Sequence, residues 1–515
     1  MLHAVTNRKR RLTSLVSMTL GAVLVVGCAG ALGGADGNNA DPVAHGEADM
    51  APELDWRECT EEELSPAAPD GAEDPPDVEI PEDLRCVEVG VAVDHNHPGG
   101  RTTALQAAKL PHTGDGESRG AVLYVDGGPG SPGIPTLAVN SEVAAELRED
   151  FDVVTWNARG TMGETAEFLP HEVCGDLGPE FVSAQTEEEF DEVVAEHEAV
   201  ADECRGHDPE LFDAMNTLQH VGDMEAIRAG LGEEQLNLYA HSHGGVRATA
   251  YAELHPERLS SVFLDSIVNW VSDREHTEST LADELESRFE DFGQWCAEFE
   301  ECALRGEDVE ERWQTLLAEA HEEPVPAGEV SLDRAQLSLT GASVLKAEEM
   351  WEAFAEAIGT TLEDGDATPF LDLAGGSLPL TPSLVHADRC GDWVPYDDFE
   401  GYQEATESAV GLSDNFGHGQ GIKQLNCASW PHEGVNPPGP IDAEELPPFL
   451  LAASELEYAN SAPAVADVPG SATVKVEGTG HGLYFHAPNS CLIEHVNRYF
   501  VDGTLPGEGS YCELD

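Results

Sequence analysis

The chain has 515 residues, enough for one large catalytic domain with an insertion or for two domains, and its 41% hydrophobic content argues against general disorder. It carries 100 acidic residues against 25 basic ones, and this acidic surface excludes nucleic acid and anionic lipid headgroups as binding partners. The excess is spread along the whole chain, which we interpret as adaptation to a salty (halophilic) or alkaline exterior.

The segment 1–28 has the organisation of a lipoprotein signal peptide. A basic stretch at 8–11 precedes an apolar run, Leu15 to Val26, that is too short to span a membrane comfortably as a mature helix. Gly27 and Cys28 end this run in a way that resembles a bacterial lipobox. We therefore expect lipid attachment at Cys28 and a location on the outer face of the cytoplasmic membrane, or release to the medium. The alternative is an ordinary signal peptide with a chance cysteine.

The segment 29–53 is rich in Gly, Ala, Asn and Asp without periodicity, which indicates a flexible tether. The chain has 11 cysteines, so removing Cys28 leaves an even number in an exported protein, and disulfides are favoured over metal ligands. Sequence does not fix the pairing. Proximity along the chain suggests Cys59–Cys86, Cys174–Cys204, Cys296–Cys302, Cys390–Cys427 and Cys491–Cys512.

Short apolar strands alternate with amphipathic helices over 54–268. The predicted strands are 86–93, 102–110, 121–125, 151–156, 236–240 and 262–264, and the predicted helices are 186–204, 218–231 and 246–254. This alternation predicts an α/β fold with a mostly parallel sheet covered by helices on both faces.

The pattern changes over 269–430, where strand patterns disappear and long acidic stretches at 275–301 and 345–362 indicate helices. We interpret this region as an inserted helical cap. Over 431–515 strands return at 448–453 and 472–476, followed by a helix at 491–501, and this part completes the core.

The segment Ala240–Gly245 predicts a nucleophile elbow. It directly follows the apolar strand 236–240 and precedes a helix, and Ser242 has small residues two positions before and after it. A sharp strand-to-helix turn requires such small residues because larger side chains would collide. Ser242 is therefore the predicted nucleophile.

A second glycine-rich turn, Gly127–Gly130, directly follows the strand 121–125. An oxyanion hole in this type of site needs one main-chain N–H from the residue after the nucleophile and one from an earlier loop. We expect His243 and Gly128 to supply them. A plain tight turn is the alternative for the glycine-rich segment.

His481 is the predicted base. It follows the strand 472–476, it lies late in the chain, and Gly480 and Gly482 flank it. The order nucleophile, acid, base along the chain is typical of this kind of hydrolase. His241 and His243 adjoin the nucleophile, but we expect their side chains to point away from the Ser242 hydroxyl.

The acid is expected after the strand 448–453, where Glu455 and Glu457 are the candidates. Asp265, at the end of the strand 262–264, is the fallback. A glutamate is less common than an aspartate in this role but serves it in some hydrolases.

These motifs together resemble the tripeptidyl aminopeptidase and prolyl aminopeptidase-like branch of the α/β-hydrolases, which is known from secreted actinobacterial peptidases. The segments that carry the resemblance are VAVDHNHP from Val91, VDGGPGSPG from Val125, FDVVTWNARGTMGET from Phe151, NLYAHSHGG from Asn237 with YAELHPERLSSVFLDS from Tyr251, CASWP from Cys427, GTGHG from Gly478 and YFVDGTLPGEGSYC from Tyr499. The resemblance implies a helical cap and a Ser-acid-His triad whose acid and base lie in the C-terminal segment.

Alignment with the family's strand-then-Leu-Asp pattern places Glu457 at the acid position. The chain departs from the family at that residue, at Asn157 and Thr165 in the Arg159 loop, and at Ala240 and His243 in the elbow. We expect Asn157 and Thr165 to affect loop structure only, and Glu457 to affect efficiency and substrate range.

The expected function is an extracytoplasmic serine aminopeptidase that acts on peptide substrates through Ser242, Glu457 and His481, with no metal and no cofactor. A carboxylesterase with the same triad is the first alternative, and a non-catalytic surface binding protein that kept the fold is the second. An aminopeptidase also needs a carboxylate in the cap for the substrate's free amine, and the sequence offers too many to choose one.

Overall fold

The computed structural model of the chain describes residues 52, 54–64, 80–170, 174, 176–179, 183–272, 274–328, 330–374, 380–421, 425–430 and 434–514. The predicted signal peptide, Cys28 and nearly all of the predicted tether lie outside these ranges. A search of the described ranges finds no helix with the length and apolar character needed to cross a membrane.

The strands form one large sheet and two small ones. They are β1 Arg57–Glu58, β2 Arg85–Ala92, β3 Thr102–Leu110, β4 Ala121–Val125, β5 Asp152–Trp156, β6 Asp176–Pro179, β7 Leu236–His241, β8 Leu259–Asp265, β9 Val325–Ala327, β10 Val330–Leu332, β11 Leu380–Pro382, β12 Phe449–Ser454, β13 Ala472–Val476 and β14 Ser510–Cys512.

The large sheet has ten strands in the order β1-β2-β3-β5-β4-β7-β8-β12-β13-β14. Pairing is antiparallel from β1 to β5 and parallel from β5 to β14. The predicted mostly parallel sheet is therefore confirmed. Its parallel part brings the C-terminal ends of β4, β7, β8, β12 and β13 to one edge, where ligand sites of open α/β sheets form.

The helices of the described chain are α1 Gly133–Val139, α2 Glu164–Phe168, α3 Glu187–His207, α4 Pro209–Asp213, α5 Thr217–Leu231, α6 Gly244–Leu254, α7 Arg274–Glu298, α8 Val309–Glu322, α9 Arg334–Val344, α10 Trp351–Asp364, α11 Thr368–Leu373, α12 Ser383–Asp392, α13 Phe399–Leu412, α14 Gly417–Gly421, α15 Tyr458–Ser461 and α16 Ser490–Asp502. The predicted helix at 345–362 begins later, at Trp351, after a 3₁₀ turn at Glu348–Met350.

Alternation along the buried strands supplies a core on each face of the sheet. In β4, Leu123 and Val125 belong to the cluster that includes Val221 of α5 and Ala248 of α6. Val122 and Tyr124 belong to the opposite cluster, which includes Ile134 of α1 and Val496 of α16. Successive side chains of a strand point to opposite faces, so a continuous apolar run such as 121–125 fits a sheet that is covered on both sides.

The helical insertion between β8 and β12 has a hydrophobic cluster of its own. Trp313, Phe292, Phe354 and Phe416 are fully buried there. The insertion also contains short strands that the sequence pattern did not predict: β9 pairs with β10, and β11 pairs with β6 of the preceding segment. Segments of three residues are too short to show a period of two, which explains why they were missed.

All five suggested disulfides are present, Cys59–Cys86, Cys174–Cys204, Cys296–Cys302, Cys390–Cys427 and Cys491–Cys512. Each joins cysteines that are neighbours along the chain. The bond at Cys390 holds the end of α12, and the bond at Cys512 holds β14 against α16.

Candidate active site

Ser242 lies in a sharp turn between β7 and α6. Its φ of 53° is in the left-handed region, which a non-glycine residue rarely adopts and which a nucleophile elbow requires. The residues two positions before and after Ser242 are small because larger side chains would collide there. Ala240 is fully buried in the sheet, and a Cβ at Gly244 would lie 2.2 Å from the Val125 carbonyl oxygen. The local structure therefore matches the predicted elbow.

The loop after β4 lies directly against Ser242. A Cβ at Gly127 would be 2.6 Å from the Ser242 Cβ, so only glycine allows this approach. The Gly127 N–H donates to Asp126 Oδ1 at 2.7 Å and is therefore engaged. Within the described ranges, the main-chain N–H groups of Gly128 and His243 have no acceptor. Both groups are therefore available to bind an oxyanion, and that role stays a prediction.

His481 and Glu457 form a hydrogen-bonded pair. The His481 Nδ1 donates to both carboxylate oxygens of Glu457, at 2.9 and 3.0 Å. Burial alone would lower the pKa of His481, but the hydrogen bond and negative charge of Glu457 outweigh it and raise that pKa. With Nδ1 donating, Nε2 is left to accept a proton. Glu455, the other candidate, is exposed and accepts from the Gly478 N–H and the Tyr511 hydroxyl instead.

The fallback acid, Asp265, has a different set of partners. Its buried carboxylate accepts from the N–H groups of Leu483 and Tyr484 at 2.8 and 3.0 Å and from the Tyr239 hydroxyl at 3.0 Å. Its main-chain carbonyl accepts from the Ser242 N–H at 3.1 Å. Asp265 therefore links the Ser242 turn to the loop that carries His481, although Glu457 is the residue that bonds the imidazole.

The two histidines beside Ser242 lie in separate environments. The His241 ring is 4.8 Å from the His481 ring, centroid to centroid, so this side chain packs beside the predicted base. The His243 ring is buried on the side of the insertion, and burial lowers its pKa to about 3. His243 is therefore neutral at physiological pH, which leaves its main-chain N–H as its polar contribution to the site.

A buried ionic cluster joins the insertion to the elbow helix. Asp388 of α12 accepts from Arg247 of α6 at 2.7 Å and pairs with His220 of α5 at 3.0 Å. Burial would raise the pKa of Asp388, but its hydrogen bond with His220 and the positive charge of Arg247 hold that pKa far below its usual range. Sequence analysis missed this cluster, because no motif marks a lone Asp in the insertion as the partner of an Arg in the core.

A cleft of about 620 Å³ lies between α7 of the insertion and the loops that carry Glu457 and His481. Its walls include Thr280, Glu284 and Ser287 from α7, Glu455, Leu456 and Ala459 after β12, and Gly478 and Thr479 after β13. Burial raises the pKa of Glu284 to about 7, with Lys346 opposing the rise and Glu457 adding to it. Glu284 has no hydrogen bond or ion pair with any residue in the described part of the chain.

The family departures at Asn157 and Thr165 contact loops. Asn157 accepts from the Ile134 N–H and donates to Gln106, and Thr165 accepts from the Gly160 N–H. Neither contacts Ser242 or His481 through a hydrogen bond in the described ranges.

Comparison with known proteins agrees with this architecture. The alpha/beta hydrolase fold family matches residues 120–396, more than half of the chain. The TAP-like protein family matches residues 413–512, which contain Glu457 and His481.

Several relatives align over most of the chain. Serine protease Hip1 of Mycobacterium tuberculosis (strain ATCC 25618 / H37Rv) is 25% identical, and the alignment covers 95% of each protein. Tripeptidyl aminopeptidase of Streptomyces lividans is 25% identical over 89% of this chain and 86% of its own. Carboxylesterase B of Mycobacterium tuberculosis (strain CDC 1551 / Oshkosh) is 24% identical over 83% of this chain and 86% of its own.

The expectation of a serine hydrolase with peptidase relatives agrees with these matches, and the resemblance to the tripeptidyl aminopeptidase branch is confirmed. The chain therefore belongs to the α/β-hydrolase fold family, in the group whose C-terminal part is TAP-like.

Proposed function

We propose that the protein is a serine aminopeptidase that removes short peptides or single residues from the free N-termini of peptide substrates. The observation that carries this proposal is the hydrogen bond between His481 Nδ1 and Glu457. Asp265 fixes the loop that carries His481 at the same edge of the sheet where Ser242 lies in its left-handed turn. A serine in an elbow and an imidazole oriented by a carboxylate, carried by loops at the same edge of the sheet, are the groups that acyl transfer requires.

The reaction proceeds in two halves. The Ser242 Oγ attacks the scissile carbonyl while His481 Nε2 accepts its proton, and Glu457 stabilises the imidazolium that forms. The N–H groups of Gly128 and His243 bind the oxyanion. His481 then protonates the leaving amine, an acyl-enzyme remains on Ser242, and water activated by His481 releases the acyl product. No step uses a metal or an organic cofactor.

Glu284 supports a peptide with a free N-terminus as the substrate. An ammonium group in the cleft would bind an unpartnered carboxylate, and Glu284 is half-buried on the wall that faces the loops of Glu457 and His481. Partial burial strengthens the attraction between unlike charges. We assign Glu284 as the residue that binds the substrate's α-amine.

A carboxylesterase is the second candidate, because a relative of similar overall likeness carries that name. The two functions differ in their need for Glu284. An ester of a simple acid has no amine for this carboxylate to bind.

Replacement of the nucleophile tests the reaction class. Ser242→Ala should abolish hydrolysis and labelling by a fluorophosphonate probe, with a loss on the order of 10⁶ in kcat, while circular dichroism stays unchanged. Activity of Ser242→Ala near the parent level would overturn the proposal, and absence of both labelling and turnover in the parent protein would favour a binding protein.

A substrate panel tests the class of substrate. Aminoacyl and tripeptidyl p-nitroanilides, their N-acetylated forms and short-chain p-nitrophenyl esters should be compared in the parent and in Glu284→Gln. We expect KM to rise only for free-amine substrates. Glu290→Gln, which removes an exposed carboxylate of α7 that does not line the cleft, is the matched control. Equal turnover of acetylated and free substrates, with esters preferred, would favour the esterase.

We further propose that the mature protein is held outside the cell by lipid on Cys28. The apolar run that ends at Gly27-Cys28 supports this location. Cys28→Ser should move the protein from the membrane fraction to the soluble fraction, and persistence in the membrane would contradict the anchor.

A further inference from the structure

Three metal-ligating side chains meet beside the catalytic loops and have no part in the reaction described above. Asp126, His241 and His486 each place one ligand atom so that all three atoms lie within 4.8 Å of one another. The His241 and His486 rings are 4.5 Å apart, centroid to centroid. Asp126 directly follows β4, His241 ends β7, and His486 lies in the loop after β13.

The spacing of His241 and Asp126 suits a shared cation better than a direct hydrogen bond. His241 Nδ1 is 3.5 Å from Asp126 Oδ1, which is long for a charge-assisted hydrogen bond. Ligands at about 2.0–2.1 Å from a tetrahedral zinc ion are roughly 3.3 Å apart. His486 Nε2 is 3.4 Å from the Tyr124 hydroxyl, which itself donates to Asp126 Oδ1 at 2.8 Å.

The cluster contains buried polar atoms that lack partners. Asp126 and His241 are 5% and 7% exposed. Within the described ranges, Asp126 Oδ2 and His241 Nε2 nevertheless have no hydrogen-bond partner. An unpaired carboxylate oxygen beside two imidazoles in a buried cluster is costly, which indicates that a ligand completes it.

Gly482 leaves room for both rings. Its φ is +72°, and a Cβ there would be 2.8 Å from His241 Nε2 and 2.7 Å from His486 Cδ2. With any other residue at this position, one or both rings would have to shift. The base loop therefore has the shape that lets the histidines share a ligand.

We propose that Asp126, His241 and His486 form a site for one transition-metal cation, with Zn²⁺ the best match. Two imidazoles and one carboxylate are a common zinc donor set, and they leave a fourth position for water. The ion is not part of acyl transfer. Through Asp126, His241 and His486 it links the loop of Gly127–Gly130, the Ser242 turn and the His481 loop. It thereby stabilises the edge of the sheet that carries the proposed catalytic residues.

The test uses the purified full chain after EDTA treatment and dialysis. ZnCl₂ is titrated calorimetrically in molar NaCl, which screens weak binding to the acidic surface. We expect one ion per chain, a higher Tm with zinc than without it, and a cobalt(II) spectrum of a low-symmetry, four-coordinate site when CoCl₂ replaces zinc.

Two variants locate the ion. His486→Gln changes an exposed side chain, whereas Asp126→Asn changes a buried one. Each substitution should weaken zinc binding at least tenfold and remove the increase in Tm on zinc addition. His321→Gln, an exposed histidine of α8, is the control and should bind as the parent does. If Asp126→Asn fails to fold, His486→Gln decides alone. Absent or substoichiometric binding, or unchanged binding in His486→Gln, would overturn the proposal, and neither outcome bears on Ser242 as the nucleophile.

Discussion

Two adjacent parallel strands, β8 and β12, each lead into a carboxylate near His481, and the two carboxylates have opposite surroundings. Asp265 is fully buried and accepts from main-chain N–H groups and a tyrosine hydroxyl. Glu457 is partly exposed, and both of its oxygens accept from His481 Nδ1. Proximity to the base is therefore not enough to make a carboxylate its partner.

The difference arises from the donors that each loop supplies. The N–H groups of Leu483 and Tyr484 occupy the oxygens of Asp265 and fix the base loop. Glu457 begins a short helix, α15, one turn beyond the strand, which places its longer side chain against the ring. One carboxylate thus positions the base loop, and the other orients the imidazole within it.

The largest effect on activity is expected from a substitution of Glu457, and it should distinguish this residue from Asp265. Glu457→Gln keeps the size of the side chain but removes the charge that stabilises the imidazolium, so kcat should fall about 10⁴-fold, the scale known for loss of a triad carboxylate. Tm should change little, because the side chain is partly exposed. Steady-state kinetics and thermal unfolding measure both quantities.

Glu455→Gln is the control, since that carboxylate faces solvent two residues away. It should keep kcat within a few-fold of the parent. A larger loss at Glu455 than at Glu457 would reverse the assignment.

Asp265→Asn should act mainly on stability. An amide can accept through only one atom, so one of the N–H groups of Leu483 and Tyr484 loses its acceptor, and a hydrogen bond to a buried charged group contributes about 1.5–3 kcal/mol. We expect a lower free energy of unfolding by about that amount in urea denaturation, with a smaller loss of kcat than in Glu457→Gln. The reverse ranking of kcat would make Asp265 the acid.

The pH dependence of kcat/KM sharpens the comparison further. As the proposed base, His481 would act only when neutral. Its pKa is raised by Glu457, so activity should be lost as pH falls through a midpoint above 6.5. In Glu457→Gln the raising contribution is gone while burial still lowers the pKa, so the midpoint should move to lower pH. Asp265→Asn should leave the midpoint closer to the parent value. Equal midpoints in parent and Glu457→Gln would contradict the pair.

Salt should have the smallest and most diffuse effect. The formal net charge is −75 at pH 7, and repulsion on the surface weakens as the Debye length shrinks from about 30 Å at 0.01 M to about 3 Å at 1 M. Tm and the peptidase rate should both rise from low salt to molar NaCl, by a few degrees and a few-fold. A flat or falling Tm would favour alkaline adaptation instead.

Structures that depend on neighbouring residues, such as the strands and the nucleophile elbow, were predictable from the sequence. The apolar runs gave the strands around Val125, Ala240 and Leu451 to within a few residues, and the small residues beside Ser242 marked the turn. These features are local, because a strand or an elbow depends on residues a few positions apart.

Contacts between distant segments were not predictable. Asp388 and Arg247 are 141 residues apart, and nothing in either neighbourhood marks them as partners. Glu284 is one of many acidic residues on α7, and its partial burial on the cleft wall, which distinguishes it from the exposed Asp283, appears only in the structure. Alignment with the family favoured Glu457 over Asp265, but the main-chain N–H donors that occupy Asp265 could not be predicted from the sequence.

The disulfides have a consequence for how the chain acquires its covalent structure. The five bonds follow one another along the sequence without overlap, and the longest of them spans 37 residues. If the chain leaves the cell amino terminus first, each cysteine meets its proper partner before the next pair has emerged. Simple oxidation in order of appearance then yields the native connectivity, so maturation of this protein should require an oxidant but little help from a disulfide isomerase.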